Sequence, residues 1–422
     1  MTTGSIILHD ICVTGNLVEY FFEVTGSAQQ YFNGKVFFCE YDEPMDDVPK
    51  SILSIPFVGS LVALAWLNNW GLWVDELDRT YYDSLKWVKW AYQEMYDKVN
   101  LSGRLIPSKF IDNAITYTHK KILLFGGGID AHASFIRHYD DISHIINIQG
   151  WFSTLQSIDE GANADKAHCQ VVANENKKSF KYVRSNFACI VKNSLINKKF
   201  KKVLKDEWWH AFLHAMAFIS ITIPIAYKLN ISNILIGSSL TVGANYTCAS
   251  YITTDSEFKY ARNGMTIHDA FELSRQQKAS IIVAFQKHAN RVYPLKVCSF
   301  NDCNCCACEK CFRSIIEIVA EGGNPLDFGF NIHDSLKEHW QRVIDNRLAL
   351  WAVESENEKY WRESASAMRQ NYDKIIDKEF VDWFLTYDFI GQKKKKLYEY
   401  YRTNFFSILK RKLHLLISKE SL

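Results

Sequence analysis

The sequence predicts an α/β protein with a mostly parallel sheet, and three features support that prediction. Apolar runs typical of strands alternate with helical patterns through the middle of the chain. Two of these runs end in turns of small residues, at Gly126–Gly128 and Gly237–Ser239. A cysteine cluster between positions 298 and 311 follows. Because ligands bind at the carboxyl ends of parallel strands, both turns are expected at one cleft.

The composition fits a globular cytoplasmic protein. The 422 residues include 49 Lys and Arg against 47 Asp and Glu, for a net charge of +2. That balance predicts neither a dedicated nucleic-acid binder nor an enzyme for acidic substrates. The first residues lack the basic and apolar segments of a signal peptide, so the 11 cysteines fit a reducing compartment. The length allows two or three domains.

Residues 1–117 are predicted to form a separate α+β module. The expected strands and helices are Ser5–Val13, Leu17–Val24, Lys35–Tyr41, Val48–Leu67 and Tyr81–Val99, with Trp70–Val74 between the two helices. The second helix repeats aromatic residues at Trp87, Trp90, Tyr92 and Tyr96. Few basic residues lie among them, so we interpret this stripe as core or interdomain packing rather than a base-stacking surface.

The central region is predicted to alternate helices and strands. The expected elements are Ala131–Arg137 (helix), His144–Ile148 (strand), a strand before Arg184, Asp206–Leu229 (helix), Ile231–Ile236 (strand), Phe271–His288 (helix) and Pro294–Val297 (short strand). The longest apolar run, Ala211–Tyr227, is short for a membrane span and is expected to be a buried helix. His210 and His214 share one face of that helix, where ordinary packing is the simpler explanation.

The glycine triplet is the first candidate for function. An apolar run leads directly into Gly126, Gly127 and Gly128, and a helix follows. Glycine allows close backbone approach to a ligand, and a helix N-terminus presents unpaired N–H groups that bind anions. The pattern therefore fits either a phosphate cradle or the tight turn of any α/β protein. Asp130, in the first helical turn, could cap the helix or face a metal ion.

The cysteine cluster is the strongest chemical signal. Cys305, Cys308 and Cys311 form a double C-x-x-C motif, and Cys298 lies just upstream. Four thiolates at this spacing suit a tetrahedral structural zinc ion, and an iron–sulfur cluster is the main competitor. Cys298 is the preferred fourth ligand, because Cys303 lies too close to Cys305 for easy geometry.

Taken in order, these motifs resemble the PP-loop ATP pyrophosphatases. That family carries Ser-Gly-Gly-x-Asp-Ser between a strand and a helix, and Gly126 to Ala131 occupy the matching positions. Within the superfamily the chain looks most like the cyano-deazaguanine synthase branch, the 7-deazaguanine enzymes of queuosine biosynthesis. The further matches are Ile234–Gly237, the helix Leu273–Ile282 with Lys278 and with Ser280 replacing a Glu, and the four cysteines followed by Arg313.

The resemblance covers residues 118–320 and implies a fold, cofactors and a reaction. It implies a Rossmann-like, HUP-type domain over 118–325 with a zinc site at 298–311, an N-terminal module over 1–117 and a helical region over 326–422. ATP and Mg²⁺ are the implied ligands. The positions matching the ATP site are Gly126, Gly127, Gly128, Asp130, Ala131 and Gly237, and Asp130 and Lys278 match catalytic positions.

The implied enzyme is a C–N ligase. A substrate carboxylate or amide oxygen attacks the α-phosphate of ATP, pyrophosphate leaves, and an amine then displaces AMP from the adenylate. Larger relatives of this branch occur in anti-phage defence systems, where protein partners are encoded nearby.

Two departures from the fingerprint favour an alternative. Gly126 and Ala131 replace both serines, so two hydroxyl contacts to phosphate are missing. The loss of two charge-assisted contacts, each worth about 1.5–3 kcal/mol, lowers a rate by several orders of magnitude. The alternative is therefore a catalytically degenerate nucleotide-binding scaffold within a multiprotein complex.

The C-terminal region reads as helical and ends in a basic amphipathic segment. Lys393–Lys396 leads into Leu397–Leu416, which mixes Arg402, Lys410, Arg411 and Lys412 with aromatic and aliphatic residues. Such a segment can bind nucleic acid, an anionic membrane surface or an acidic partner. Because the total charge is nearly balanced, a solvated helix packed through its apolar face is the favoured interpretation.

Overall fold

The computed structural model describes residues 3–150, 155–244, 247–298, 303–351, 356–406 and 409. The chain divides into two compact units, Met1–Ser274 and Arg275–Leu422. The sequence had predicted boundaries at 117/118 and 325/326. The division falls elsewhere because the N-terminal strands share one sheet with the central strands, while helices on either side of position 325 pack together.

All the strands of the described residues lie in the first unit. They are β1 Gly4–Thr14, β2 Leu17–Gly26, β3 Val36–Tyr41, β4 Gly71–Asp78, β5 Arg104–Ile111, β6 Lys121–Leu124, β7 Ile142–Gln149, β8 Ser179–Ser185, β9 Asn233–Gly237, β10 Lys259–Tyr260 and β11 Gly264–Asp269. Its helices are α1 Lys50–Asn68, α2 Arg79–Met95, α3 Ile129–Arg137, α4 Leu155–Glu175, α5 Asn193–Leu204, α6 His214–Lys228 and α7 Ile252–Asp255.

The strands form a single mixed sheet in the order β10-β11-β9-β6-β7-β8-β3-β2-β1-β4-β5. Six of the ten pairings are parallel, including every pairing from β11 through β9, β6 and β7 to β8. The predicted α/β class with a mostly parallel sheet is confirmed. From β6 the chain proceeds to β7 and β8 on one side, and then to β9 and β11 on the other. The strand order therefore reverses between β6 and β9, and such switch points are where open α/β sheets bind ligands.

Two apolar helices form the centre of the first unit's core. Residues Ser51–Asn68 of α1 are all buried, as expected for a helix that is apolar on every face. It packs against α6, and Gly59 allows the close approach, since a Cβ there would lie 1.9 Å from Ser220 Oγ.

Within the described residues, Lys50–Asn68 and Trp209–Lys228 are long and apolar enough to cross a membrane. The second helix extends beyond the predicted apolar run, so its length does not exclude a span. Both apolar segments are enclosed by protein, at 100% and 78% burial, as core helices of globular proteins are. This is weak evidence for membrane insertion, and the expected lack of a span stays a prediction.

The second unit is helical where it is described. Its helices are α8 Arg275–Ala289, α9 Glu309–Ala320, α10 Leu336–Trp351, α11 Glu356–Gln370, α12 Lys378–Thr386 and α13 Phe389–Thr403. Phe312 of α9 lies at the centre of an aromatic cluster, with ring centroids 4.8 Å from Trp340, 5.6 Å from Trp361 and 6.1 Å from Phe384. These contacts join the cysteine segment to the C-terminal helices.

Several local predictions differ from the structure. Residues 294–297 do not form the short strand that was predicted before Cys298. The connection predicted at Trp70–Val74 lies largely within β4, which pairs with β1 and β5. In the aromatic stripe of α2, Tyr92 and Tyr96 are buried as expected, but Trp87 and Trp90 are exposed.

We expect Gly237→Ala to destabilise the first unit. A Cβ at this position would lie 2.7 Å from the Asp130 carbonyl oxygen and 3.0 Å from Ser134 Oγ, so α3 would have to move. Overpacking of this kind costs about 1–3 kcal/mol of unfolding free energy, measurable by urea denaturation. The matched control is Gly126→Ala, where a Cβ meets nothing within 4 Å. Equal destabilisation by both substitutions would contradict this account.

Candidate functional site

The glycine turn links the carboxyl end of β6 to the start of α3. Phe125 N–H donates to the Ile146 carbonyl at 2.8 Å and keeps the turn against β7. Gly127 adopts φ +76°, a left-handed conformation that favours glycine. Gly128 is the N-cap residue of α3, and its carbonyl accepts the first helical hydrogen bond, from His132 N–H at 3.0 Å. Because a Cβ on Gly126 or Gly128 meets nothing within 4 Å, the turn faces open space.

Asp130 and Ala131 lie in the first turn of α3 and are half-buried. Gly128, the N-cap residue, has no side chain that could cap the helix. A carboxylate in the first turn, such as that of Asp130, is stabilised by the helix dipole. The turn, the helix N-terminus and Asp130 together could bind a phosphate with an accompanying cation.

The end of β9 meets the same helix turn. Gly237 lies directly under the Asp130 carbonyl, and this close approach leaves no room for a side chain. The two small-residue turns predicted from the sequence therefore lie side by side at the carboxyl ends of neighbouring strands.

Asp269, the last residue of β11, fixes the other end of α3. Its carboxylate accepts hydrogen bonds from Ser134 Oγ at 2.8 Å and His138 Nε2 at 3.0 Å, and it lies 3.4 Å from Arg137 Nε. Burial raises the pKa of Asp269, but the hydrogen bonds from His138 and Ser134 outweigh burial and hold the pKa below its usual value. Sequence reasoning missed Asp269 because β11 was not predicted as a strand.

Buried polar side chains line the neighbouring end of β7. Asn147 Nδ2 donates to the Phe125 carbonyl at 3.0 Å, and Gln149 Nε2 donates to Asn147 Oδ1 at 2.9 Å. His132 is fully buried. Burial is the main cause that lowers its pKa well below the usual value, and the nearby His168 lowers that pKa further. The Phe125 carbonyl, just before the glycine turn, is thus held by the side chain of Asn147.

Lys278 lies on α8 in the second unit and is only 1% exposed. Arg275, on the same helix, donates from Nε to Glu317 Oε1 at 2.9 Å. Arg275 is therefore engaged in an ion pair with α9, and Lys278, which matches a catalytic position of the resembled family, is enclosed by protein.

Four thiols come together as predicted. The Sγ atoms of Cys298, Cys305, Cys308 and Cys311 all lie within 4.8 Å of one another. Cys311 Sγ is 3.9 Å from Cys305 Sγ and 3.5 Å from Cys308 Sγ. Tetrahedral zinc with Zn–S bonds of about 2.3 Å requires sulfur atoms about 3.8 Å apart. These residues are positioned to bind a metal ion, and the geometry is compatible with zinc.

The start of α9 contributes to this site. Cys308 is the N-cap residue of α9, and Cys311 lies in its first turn, where the helix dipole favours thiolates. The hydrogen bond with Cys311 lowers the pKa of Cys308 to about 5 and raises the pKa of Cys311. The two sulfur atoms are thus electrostatically coupled at the start of α9.

Asn304 organises the loop that carries the cysteines, and sequence reasoning missed it. Its Oδ1 accepts from the backbone N–H groups of Val297 and Cys298 at 3.0 and 3.3 Å. Its Nδ2 donates to the carbonyls of Leu295 and Gly329 at 2.8 and 3.3 Å. Asn304 is buried and supplies the hydrogen bonds that a neighbouring strand would otherwise make with residues 295–298.

The two spare cysteines lie outside the quartet. Cys303 is exposed, while Cys306 is buried, has φ +50° and has its pKa raised by burial to about 11. The Cys306 carbonyl accepts from His339 Nε2 at 2.6 Å, which ties the loop to α10. Cys298, and not Cys303, therefore belongs to the quartet that is positioned to bind a metal ion.

His210 and His214 lie at the π-helical turn Trp209–Leu213 that precedes α6. His210 pairs with Asp206, and His214 Nδ1 lies 3.1 Å from the Trp209 carbonyl. Among the described residues, neither histidine belongs to a group positioned to bind metal. The interpretation as packing residues agrees with these contacts.

The basic C-terminal helix is partly neutralised. Lys393 Nζ lies 3.0 Å from Glu358 Oε1, and Lys396 Nζ lies 3.5 Å from Asp345 Oδ1. These pairs hold one face of α13 against the helical unit. Of the predicted basic residues further on, Lys410, Arg411 and Lys412 lie outside the described residues.

No protein-family model matches this chain, and no curated protein is detectably similar to it.

We expect the purified protein to contain about one zinc ion per chain, measured by elemental analysis. Cys308→Ser and Cys311→Ser should each abolish stoichiometric zinc, because a closed Cys₄ site needs all four thiolates. Cys303→Ser is the control and should retain the metal, since Cys303 lies outside the quartet. Stoichiometric iron with visible absorption would instead identify an iron–sulfur cluster.

We also expect Asn304→Leu to loosen the metal site without removing a ligand. Four hydrogen bonds to the loop backbone would be lost, and each buried group left unsatisfied costs about 1–3 kcal/mol. When a chelator is added, zinc should therefore dissociate faster from the Asn304→Leu variant than from the unmodified protein. Identical release kinetics in the two proteins would show that Asn304 does not support the site.

Proposed function

We propose that this chain is an ATP-dependent C–N ligase of the PP-loop pyrophosphatase type, resembling cyano-deazaguanine synthase. It adenylates a carboxylate or amide oxygen of a small-molecule or protein substrate and releases pyrophosphate. The observation that carries the proposal is the open glycine turn at the switch point between β6 and β9, directly before the N-terminus of α3. Switch points are where nucleotides bind in doubly wound sheets.

The assigned roles follow from the local chemistry. The backbone of Gly126, Gly127 and Gly128 and the α3 N-terminus bind phosphate oxygens through N–H groups. Asp130 holds the Mg²⁺ that accompanies ATP, since carboxylates are preferred magnesium ligands. Gly237 supports the cradle by allowing α3 to approach β9. Stabilising charge on the departing pyrophosphate is the main catalytic task, and preorganised amides meet it.

The zinc site has a structural role in this proposal. A Cys₄ site has no open coordination position, so the metal stabilises the loop between α8 and α9 instead of activating a ligand. The chain is placed in the cytoplasm, where reduced thiols and ATP are both present. An anti-phage defence role within a multiprotein system is part of the same proposal and rests on the family resemblance.

ATP binding and pyrophosphate release test this function. Asp130→Ala should abolish magnesium-dependent ATP binding, measured by calorimetry, because the carboxylate that holds the cation is removed. Gly126→Ala should weaken ATP binding about tenfold, since its Cβ would project into the open cradle. Neither substitution is expected to lower stability, which separates loss of binding from loss of fold.

Asp140→Ala, an exposed carboxylate just beyond α3, is the matched control and should bind ATP normally. If the unmodified protein binds ATP only without magnesium, or if Asp130→Ala binds as tightly, the assignment fails.

A second candidate function is a nucleotide-binding scaffold without turnover. The loss of both fingerprint serines and the burial of Lys278, which is 1% exposed, favour it. In that case ATP binds and stabilises the chain, but pyrophosphate is not released with any carboxylate or amide substrate. Restoring the hydroxyls in the double variant Gly126→Ser and Ala131→Ser should then raise ATP affinity while turnover stays absent. Pyrophosphate release by the unmodified chain would exclude the scaffold.

A further inference from the structure

Helix α13 presents aromatic rings and cations on one exposed side. Lys394, Tyr398, Tyr401 and Phe405 are spaced four, three and four residues apart, so they lie along one strip, with Phe405 just past the end of the helix. The three rings are 68%, 54% and 56% exposed, and α13 has no buried residue. The sequence favoured packing through an apolar face, whereas the structure leaves these rings in solvent. The α13 surface consists of Lys394, Lys395, Tyr398, Tyr401, Arg402 and Phe405.

The cations of the α13 surface are not neutralised within the described part of the chain. Lys394, Lys395 and Arg402 are exposed, and no described carboxylate forms an ion pair with any of them. Glu399 supplies the one carboxylate of α13, and it lies beside the surface, about 100° round the helix from Tyr398. The surface therefore carries three positive charges with one negative charge at its edge, although the whole chain has a net charge of only +2.

Carboxylates that reach α13 from its neighbours serve its other side. Asp345 of α10 lies 3.5 Å from Lys396 Nζ, and Glu358 of α11 lies 3.0 Å from Lys393 Nζ. Asp388, just before α13, caps the first turn by accepting a backbone hydrogen bond. These contacts leave the cations of the α13 surface available to an anionic ligand.

A cavity lies beside the start of the α13 surface. Ile390, one helical turn before Lys394, forms part of its wall. The cavity measures about 190 Å³, and since a cavity of about 150 Å³ holds benzene, this one accepts a single aromatic ring. The wall also includes Trp361, Arg362, Phe384, Tyr387 and Asp388.

We propose that the α13 surface binds single-stranded nucleic acid. Bases stack on the three exposed rings, while the three cations contact phosphates of the backbone. One further base enters the adjoining aromatic cavity. The binding is local to this helix, which fits a chain whose total charge is nearly balanced.

The mixture of rings and cations on one side selects this ligand. A helix that lies on an anionic membrane separates its apolar face from its basic face, whereas here the two kinds of side chain share one strip. A duplex offers phosphates, but stacking covers the faces of its bases, so the exposed rings would have no partner. A single strand carries an accessible flat ring and a negative charge in every nucleotide, and so satisfies both kinds of side chain.

The spacing along the helix also suits an unstacked strand. With a rise of about 1.5 Å per residue, the rings at positions 398, 401 and 405 stand about 4.5 and 6 Å apart along the helix axis. Bases within a strand of a duplex are about 3.4 Å apart. Successive rings of the α13 surface therefore fit bases that have separated from one another.

The test is the affinity of the full chain for labelled, unstructured RNA and for DNA of the same sequence, measured by fluorescence anisotropy across a salt series. Three phosphate contacts predict that log K falls with log salt at a slope of about −2. Lys394→Gln with Lys395→Gln should bring that slope to about −0.7 and weaken binding about tenfold at low salt. Tyr398→Ala with Tyr401→Ala should weaken binding about tenfold or more and leave the slope unchanged, because stacking does not depend on counterions.

Two double variants are matched controls. Lys374→Gln with Lys378→Gln removes two exposed cations of the second unit, and Trp87→Ala with Trp90→Ala removes two rings that are each 60% exposed in the first unit. Both should bind nucleic acid as the unmodified chain does. Asp130→Ala should also bind normally, so this proposal and the nucleotide site can fail separately.

A salt dependence that is flat, an affinity for the duplex equal to that for the single strand, or equal losses in the control variants would overturn the proposal. Vesicles of phosphatidylcholine and phosphatidylserine test the membrane alternative. Binding to these vesicles that is lost in Lys394→Gln with Lys395→Gln, from a chain that does not bind nucleic acid, would assign the α13 surface to a membrane instead.

Discussion

The packing of α3 onto the end of β9 is the contact on which the candidate nucleotide site depends. The Asp130 carbonyl occupies the space that a side chain on Gly237 would need. Asp269, at the end of the next strand, holds the far end of the same helix through Ser134, Arg137 and His138. Three adjacent strands, β6, β9 and β11, therefore fix one short helix. The sheet thus holds the N-terminus of this helix in position through these contacts.

This arrangement explains why the site could be predicted from the sequence only in part. The glycine triplet and the apolar run before it are local signals, because glycine conformation and hydrophobic pattern need no distant partner. The contribution of Asp269 depends on the pairing of β11 with β9. The six residues of β11 alone do not predict that pairing. Polar residues alternate within Gly264–Asp269, so the segment lacks the apolar run expected of a buried parallel strand.

The domain boundaries show the same limit on a larger scale. The first three strands were correctly placed, yet they do not form a module with its own sheet. Cys39 of β3 lies opposite Ser185 of β8, and this antiparallel pairing joins the N-terminal strands to the central ones. A contact between residues so far apart in sequence is set by tertiary packing, which strand propensity does not encode. The spacing of the cysteines, by contrast, was enough to predict which four thiols converge, because the geometry of a Cys₄ metal site restricts which thiols can come together.

The proposed phosphate cradle is built from backbone N–H groups, so the contacts that would bind a phosphate differ from the side-chain contacts that would act in its transfer. N–H groups of the glycine turn and of α3 are present whatever side chains stand at positions 126 and 131, so these donors do not depend on the serines that the PP-loop fingerprint has at those positions. Hydroxyl groups that act on the transferred phosphate have no such replacement in the backbone. A chain with this loop can therefore retain nucleotide affinity while its rate falls, since uniform binding and transition-state stabilisation draw on different contacts. On this reasoning the two candidate functions share one fold and one cradle. They differ in whether phosphate transfer can proceed without hydroxyl groups at positions 126 and 131.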